Sequence, residues 1–439
     1  MSKDGEVDQF PKEKPVHHHP RRLADWINPT GARKVHSLID KVYAMKNLEL
    51  AWQKVRENRG AGGIDGESIE TFEANLTENL KKLHEELKTD TYKPQPVRRK
   101  MIPKPGEPAK KRELGIPRIY DRVCQQALTN RLEAIFEPVF DDANFGYRKG
   151  RSAKDGLRKV WRELKEGRVW IVDADLKNFF GSVSHDKLML LVSRRIADGR
   201  VLRIIERILK AGCWAEGELL PTEQGTPQGG VVSPILSNIL LTPFDAEMRR
   251  KGYRLTRYAD DWLVTCTSRS EAQAALDAAK RILEKLGVTL HAEKTRIVHV
   301  RQGFEFLGFL INWGRPLNLK LPRGKCPVTG GLYAYPRKKS IMHFKEQIRK
   351  LTRRRAPVKT QKLIEDINPV IRGWGTYFCK ARVRKLFNRL DRWIVRRLWA
   401  HKCRRWHNTG WKKLPEKRLY EEMGLVNLFA LLPSRASAR

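Results

Sequence analysis

Before about Lys34 the chain is polar, has no hydrophobic period and is punctuated by Pro11, Pro15, Pro20 and Pro29. Residues 1–32 are therefore expected to form a flexible tail. His17-His18-His19 belongs to it as tail rather than metal site, because three adjacent imidazoles cannot all face one ion. Helical spacing then begins, and Asn58–Gly66 interrupts it as a glycine-rich loop. That loop is no dinucleotide fingerprint: Asp65 takes the last glycine position and no strand precedes it. Met101–Pro117 mixes prolines, glycines and basic residues and predicts a loop or hairpin. Val123, Ala127, Leu128 and Leu132 predict a helix ending before Pro138. Trp170–Leu176 predicts a buried strand that delivers carboxylates at its end, Leu188–Leu209 a helix, and Arg254–Cys266 a hairpin around Ala259-Asp260-Asp261. Ser268 and Glu271 make a capping box for a helix carrying Ala272, Ala275, Leu276, Ala279, Leu283 and Leu286, which stops at Gly287. Val288–Leu290, Ile297–Val300 and Phe304–Leu310 predict short strands. This order predicts an α+β fold, an antiparallel sheet with helices on one side. Asn312–Gly331 is a polar, Gly/Pro-rich linker or insertion. Beyond it Val383, Leu386, Phe387, Leu390, Trp393, Ile394 and Leu398 form a helical core stripe, with Arg and Lys on the other faces.

Composition narrows the class. A chain of 439 residues is long enough for two or three domains, and its aromatic residues suffice to pack them. No apolar run approaches the roughly 20 residues that span a bilayer, and the N-terminus carries no secretory signal. The expected location is the cytoplasm. The six cysteines are scattered without a CxxC, which argues against a zinc ribbon or a disulfide framework. The net charge is +38, of which +22 lies in Tyr335–Arg439 together with five of the twelve tryptophans. Basic residues bind phosphates through charge and counterion release, and aromatic faces stack on unpaired bases. The alternative, a solvated basic surface beside a Trp core, leaves that charge repelling itself with no polyanion nearby. Nucleic acid is the expected partner. No P-loop, HExxH or GxSxG occurs, and no repeat of 20–50 residues.

Three acids carry candidate chemistry: Asp175 at a strand end, and Asp260 and Asp261 in a tight turn. Mg²⁺ takes oxygen ligands and keeps waters, so a site of a few carboxylates plus substrate phosphates suits it. An Asp-Asp pair alone is also an ordinary solvated turn. The specific signal is Tyr258-Ala259-Asp260-Asp261, preceded by Gln228-Gly229-Gly230-Val231-Val232-Ser233-Pro234. It resembles the palm of reverse transcriptases, and more fully those of bacterial group II introns, which are also maturases. Further blocks follow in that family's order: Asn58–Gly66, Arg112–Pro117, Phe145–Ser152, Asp173–Phe180, Glu293-Lys294-Thr295, Phe304–Phe309, and Asn368–Trp374, which resembles the maturase (X) domain. The resemblance covers about residues 40–430.

It implies a right-hand polymerase: fingers over 33–170, a palm with an antiparallel sheet over 171–325, and a basic helical thumb and X domain over 326–439. Asp175, Asp260 and Asp261 would hold Mg²⁺. Lys104 and Arg112 would meet the incoming triphosphate, with Lys111 a competitor for either role. Phe180 would crowd the sugar 2′ position, unless it is only a core Phe, and Gln228 would touch nucleotide or primer end. Arg148 and Arg151 would contact template phosphates or else close structural ion pairs; Arg372 and Trp374 lie in the block implied to bind RNA. The implied activity is RNA-templated DNA synthesis, with group II intron RNA, a DNA target or primer and dNTPs as partners, in a nucleoid-associated ribonucleoprotein. The rival role is a domesticated relative serving phage defence, CRISPR spacer acquisition or DNA repair. Two departures stand out. Gly181 replaces the Asp usual after Phe179-Phe180, and no HNH nuclease module is expected after the X domain, since only about thirty residues follow Trp406.

Overall fold

The computed structural model describes residues 23–104, 107–314, 331–353, 358–403, 412 and 414–433. The His17–His19 run, most of the 312–331 linker, Trp406 and Trp411 lie outside the described residues. Among the described residues no helix is long and apolar enough to cross a membrane.

The basic Pro/Gly stretch is a long hairpin. Strands Val97–Lys104 and Glu107–Ile116 pair antiparallel, and Val97–Arg98 run parallel to Cys213–Trp214 of a second, short hairpin. Behind it the helix Ile119–Phe136 is buried on most faces, polar Asp121, Gln125 and Thr129 included. Its apolar spacing reported only one stripe of that burial.

The central sheet has four antiparallel strands in the order Arg254–Tyr258, Asp261–Cys266, Trp170–Asp175, Arg296–His299. Side chains alternate between its faces. Val172, Ala174, Trp262 and Val264 enter a core shared with the helices Ser233–Arg250 and Arg269–Leu286. Ile171 and Leu263 enter a second core, shared with the helix Ala153–Lys165 and the C-terminal helices. Helices therefore cover both faces, not the one expected. The strands allow it because Ile171 and Val172, on opposite faces, are both fully buried.

Three other expectations change. The helix read over Leu188–Leu209 is two, His185–Ser193 and Gly199–Leu209. Asp198 caps the second by accepting from the amides of Arg200 (3.0 Å) and Val201 (3.3 Å). Phe304–Leu310 is not one strand but a hairpin, Phe304–Phe306 and Phe309–Trp313, turned by Leu307 (φ 46°) and Gly308 (φ 82°). Val288–Leu290 contributes one bridge, Leu290 to Leu176. The capping expectation holds at Ser268 Oγ, which accepts from the Glu271 amide (3.0 Å), and the Glu271 carboxylate also reaches back to the Thr267 amide and hydroxyl.

C-terminal to the sheet, Leu332–Pro336 pairs with Phe309–Trp313, and the helices Lys338–Leu351, Thr360–Phe378 and Arg384–Cys403 follow. The expected stripe is buried from Val383 to Leu398, with Trp393 at its margin. The architecture is α+β, a four-stranded antiparallel sheet between helices, followed by a helical region.

Candidate active site

The hairpin between the first two sheet strands closes on Ala259 and Asp260, since Tyr258 pairs with Asp261. Ala259 sits at φ 60°, left-handed backbone that an alanine adopts at a cost of about 1 kcal/mol. On the other side Asp261 pairs with Asp175. Sheet register therefore sets Asp175 and Asp261 side by side at adjacent strand ends, with Asp260 one residue away in the turn. Asp173, two residues before Asp175, shares their face.

These acids crowd one another. Burial, then the charges of Asp173, Asp260 and Asp175, push the Asp261 carboxyl up to about 7. Asp260 is raised by burial and by Asp175, and Asp173 is raised by burial despite its 2.9 Å ion pair with Arg296. Lys294, from the Glu293-Lys294-Thr295 block, donates to Asp175 Oδ2 at 2.5 Å. Among the described residues no three His, Cys, Asp or Glu side chains close a metal shell unaided. Mg²⁺ does not require that, because waters and substrate phosphates complete its octahedron. The all-oxygen donors, with the raised Asp260 and Asp261 carboxyls among them, fit such an ion.

The long basic hairpin supplies the opposite charge. Arg112, opposite Ile102, is exposed, and its charge acts on the Tyr147 phenol, which also feels Asp260. Lys111 lies on the other face of the strand, opposite Pro103, and Lys104 ends its strand opposite Glu107. Gln228 is half-buried, and its carbonyl accepts from the Gly115 amide at 2.8 Å. Gly229, at φ 109°, is required there: a Cβ would lie 2.8 Å from the Gly115 oxygen. The Gln-Gly-Gly loop is thereby fastened to the base of the basic hairpin. Phe180 is half-buried, edge-on to Phe179 at 5.3 Å, and its carbonyl accepts from Thr226 at 2.7 Å. At Gly181 a Cβ would lie 2.5 Å from the side-chain amide nitrogen of Asn178, whose backbone is left-handed at φ 45°, so Asn178 fills the space beside Gly181.

Two residues expected at RNA have partners within the protein. Arg148 has a side chain only 4% exposed, paired with Glu137 at 2.6 Å and donating to the carbonyls of Asp141 and Asn144. Of the two readings left open for it, the structural ion pair is the one formed. Trp374 is half-buried and packs against Phe344, Phe378 and Phe387 at ring separations of 4.6, 4.8 and 5.8 Å, so part of its surface is given to the core. Arg151 pairs with Asp142 at 2.6 Å and keeps a quarter of its side chain exposed. Arg372 is exposed, and with Lys154, Asn368, Thr376 and Tyr377 it lines a groove of about 670 Å³.

Three site residues escaped sequence reasoning: Lys294 on Asp175, Gly146 under the turn, and the buried Arg257. A Cβ on Gly146 would lie 2.3 Å from the Ala259 nitrogen. Membership of recognisable blocks hinted at Lys294 and Gly146, whereas Arg257 lies one residue before the Tyr258–Asp261 block.

Residues 102–311 match the family described as "Reverse transcriptase (RNA-dependent DNA polymerase)", and residues 341–419 match "Group II intron, maturase-specific domain". Protein YkfC of Escherichia coli K12 is 31% identical over 330 residues, 66% of this chain and 86% of that protein. The group II intron-encoded protein LtrA of Lactococcus lactis subsp. cremoris is 31% identical over 338 residues. That match takes in 62% of this chain but only 56% of LtrA, so the chain spans little over half of that relative. Among solved structures, a partial Cas6-RT-Cas1--Cas2 complex is similar at 23% identity and a TM-score of 0.36, over 57% of this chain and 42% of that one.

Proposed function

Because the chain belongs to the reverse transcriptases with a group II intron maturase domain, a class of RNA-directed DNA polymerases, we propose that it binds a group II intron RNA, assists its splicing and copies it into DNA during intron mobility. The observation that carries the reading is the pairing of Asp175 with Asp261, with Asp260 in the adjoining turn, in a chain that continues into a maturase domain.

Asp175, Asp260 and Asp261 would hold Mg²⁺. When bound, the metal lowers the barrier to attack by a primer 3′-oxygen and neutralises charge developing on the leaving pyrophosphate. The protein's own groups do the rest. Arg112, with Lys104 or Lys111, offers donors to the triphosphate. Gln228 stands between the basic hairpin and the palm, where a primer end or base would lie. Splicing needs no protein side chain at the reacting phosphate: the +22 region from Tyr335 onward would favour the active RNA fold and shift its population.

Phe180 lies shortly beyond the Asp175 strand, and we assign its ring to the sugar 2′ position. Phe180→Ala is expected to raise the rNTP-to-dNTP efficiency ratio about tenfold or more, an unfavourable contact of some 1.4 kcal/mol being relieved. Single-nucleotide incorporation measures it, and an unchanged ratio would leave Phe180 a packing residue only.

The reading requires a group II intron around the coding sequence, and the function is tested on that RNA. Its self-splicing at low Mg²⁺ is expected to accelerate on adding the protein. Binding of that RNA is expected to weaken on the order of 10³-fold between about 50 and 200 mM salt. No acceleration, or a flat salt dependence, would contradict the maturase reading.

A further inference from the structure

The catalytic turn is braced from beneath by a buried polar cluster that no part of the mechanism above uses. Arg257, three residues before Asp260, has no exposed surface, and neither has its partner Asp245. Its Nε and Nη2 donate to the two Asp245 oxygens at 2.7 and 2.5 Å. The remaining nitrogen, Nη1, donates to Asn238 Oδ1 at 3.2 Å and to the Ala259 carbonyl at 3.0 Å. Asn238 in turn donates to the Gly146 carbonyl at 3.0 Å, and Gly146 packs directly against the Ala259 nitrogen. Backbone bonds lock the other side: the Arg257 amide donates to Ala143 and the Phe145 amide to Arg257, both at 2.8 Å. Asn238 and Asp245 lie seven residues apart, two turns on one face of the helix Ser233–Arg250.

A bare fold requirement does not explain the bond to Ala259. A salt bridge between helix and strand would be complete with Asp245 alone. The Ala259 carbonyl belongs to the peptide unit that ends at the Asp260 nitrogen, so fixing it fixes the direction in which Asp260 leaves the turn. Ala259 is also the left-handed residue, the one point of the hairpin with an intrinsic preference for a different backbone conformation. An arginine suits this position because its planar fork saturates a carboxylate with one edge and keeps a donor for a third group.

We propose that Arg257, held by Asp245 and Asn238, is a positioning residue for the polymerase reaction: it orients the Ala259–Asp260 peptide and thereby sets where the Asp260 carboxylate stands relative to Asp175 and Asp261. The inference rests on the reading that Asp260 takes part in catalysis.

Removing Arg257 alone strands a buried carboxylate and risks unfolding, so the test replaces the pair. Buried ion pairs exchanged for apolar residues of similar volume commonly keep the fold. Arg257→Met/Asp245→Leu is expected to melt near the native temperature and to bind primer–template within about threefold of native, while incorporation at saturating dNTP falls about 10²-fold, the usual cost of a misplacement near 1 Å. Mn²⁺ binding to the enzyme–primer–template complex, followed by electron paramagnetic resonance, is expected to weaken about tenfold. A purely structural role predicts native rate and native Mn²⁺ affinity in a folded double variant, and that result overturns the proposal. If the double variant does not fold, Arg257→Lys decides, since it keeps a charge against Asp245 but cannot span all three partners: slow incorporation supports the proposal and a native rate overturns it. Asp260→Asn runs beside both. A native rate in Asp260→Asn defeats the catalytic reading itself, whereas a dead Asp260→Asn beside a fully active double variant defeats this inference alone.

Discussion

Asp260→Ala is expected to cut RNA-templated primer extension by about 10³-fold or more, roughly 4 kcal/mol of transition-state stabilisation, while leaving RNA binding near native. The loss should not come from unfolding. Burial and then Asp175 raise the Asp260 carboxyl from its ordinary value, so in the free protein its charge is a local burden. Taking it away relieves repulsion on Asp261 and Asp175, and the melting temperature should hold or rise slightly. RNA binding should survive because the exposed basic residues of the C-terminal region, Arg372 among them, belong to other elements. Extension and filter binding on the same preparation separate the two effects. An Asp260→Ala protein that extends primers at the native rate would remove the acid cluster from the chemistry.

Gly146→Ala should be nearly as damaging, through one methyl group. Its Cβ would lie 2.3 Å from the Ala259 nitrogen and 3.0 Å from the Tyr258 carbonyl carbon, both backbone atoms. Neither can rotate aside, and Arg257 and Asn238 hold the turn from below. The turn carrying Asp260 must therefore shift. We expect about 10²-fold slower incorporation, and a stability loss of about 2 kcal/mol from overpacking. Gly150→Ala, in the same Phe145–Ser152 block, is the control. It has open space around a strained φ of 73°, so it should cost about 1 kcal/mol of stability and no polymerase rate. Steady-state kinetics and thermal melts distinguish the pair, and equal rates in the two variants would show that the turn tolerates displacement.

What could be read from the sequence was what local pattern encodes. The Trp170 and Arg254–Cys266 strands announce themselves by apolar runs around acids, and the helix ending at Gly287 by its cap and its left-handed stop at φ 79°. The acid cluster followed, because two strand-end carboxylates and a turn need only correct pairing to meet. Side-chain commitment was not legible. Arg148 and Arg151 stand three residues apart in one basic block, yet the first is sealed against Glu137 and the second keeps exposed surface, since Glu137 and Asp142 approach them differently. Trp374 is set in a basic region, but its environment comes from Phe344 and Phe387 on neighbouring helices. Arg257 reads as one more cation until the helix Ser233–Arg250 delivers Asp245 and Asn238. The second face of the sheet was hidden for a similar reason: the core on that side draws residues from as far along the chain as Leu428.

The central claim is that this chain polymerises DNA on an RNA template. The direct measurement is extension of a labelled DNA primer annealed to an RNA of defined sequence, with purified protein, the four dNTPs and Mg²⁺. The expected product is DNase-sensitive and alkali-resistant, complementary to the template when sequenced, and absent with Asp260→Ala. A wild-type protein that binds the primed RNA but adds no complementary nucleotides would contradict the claim.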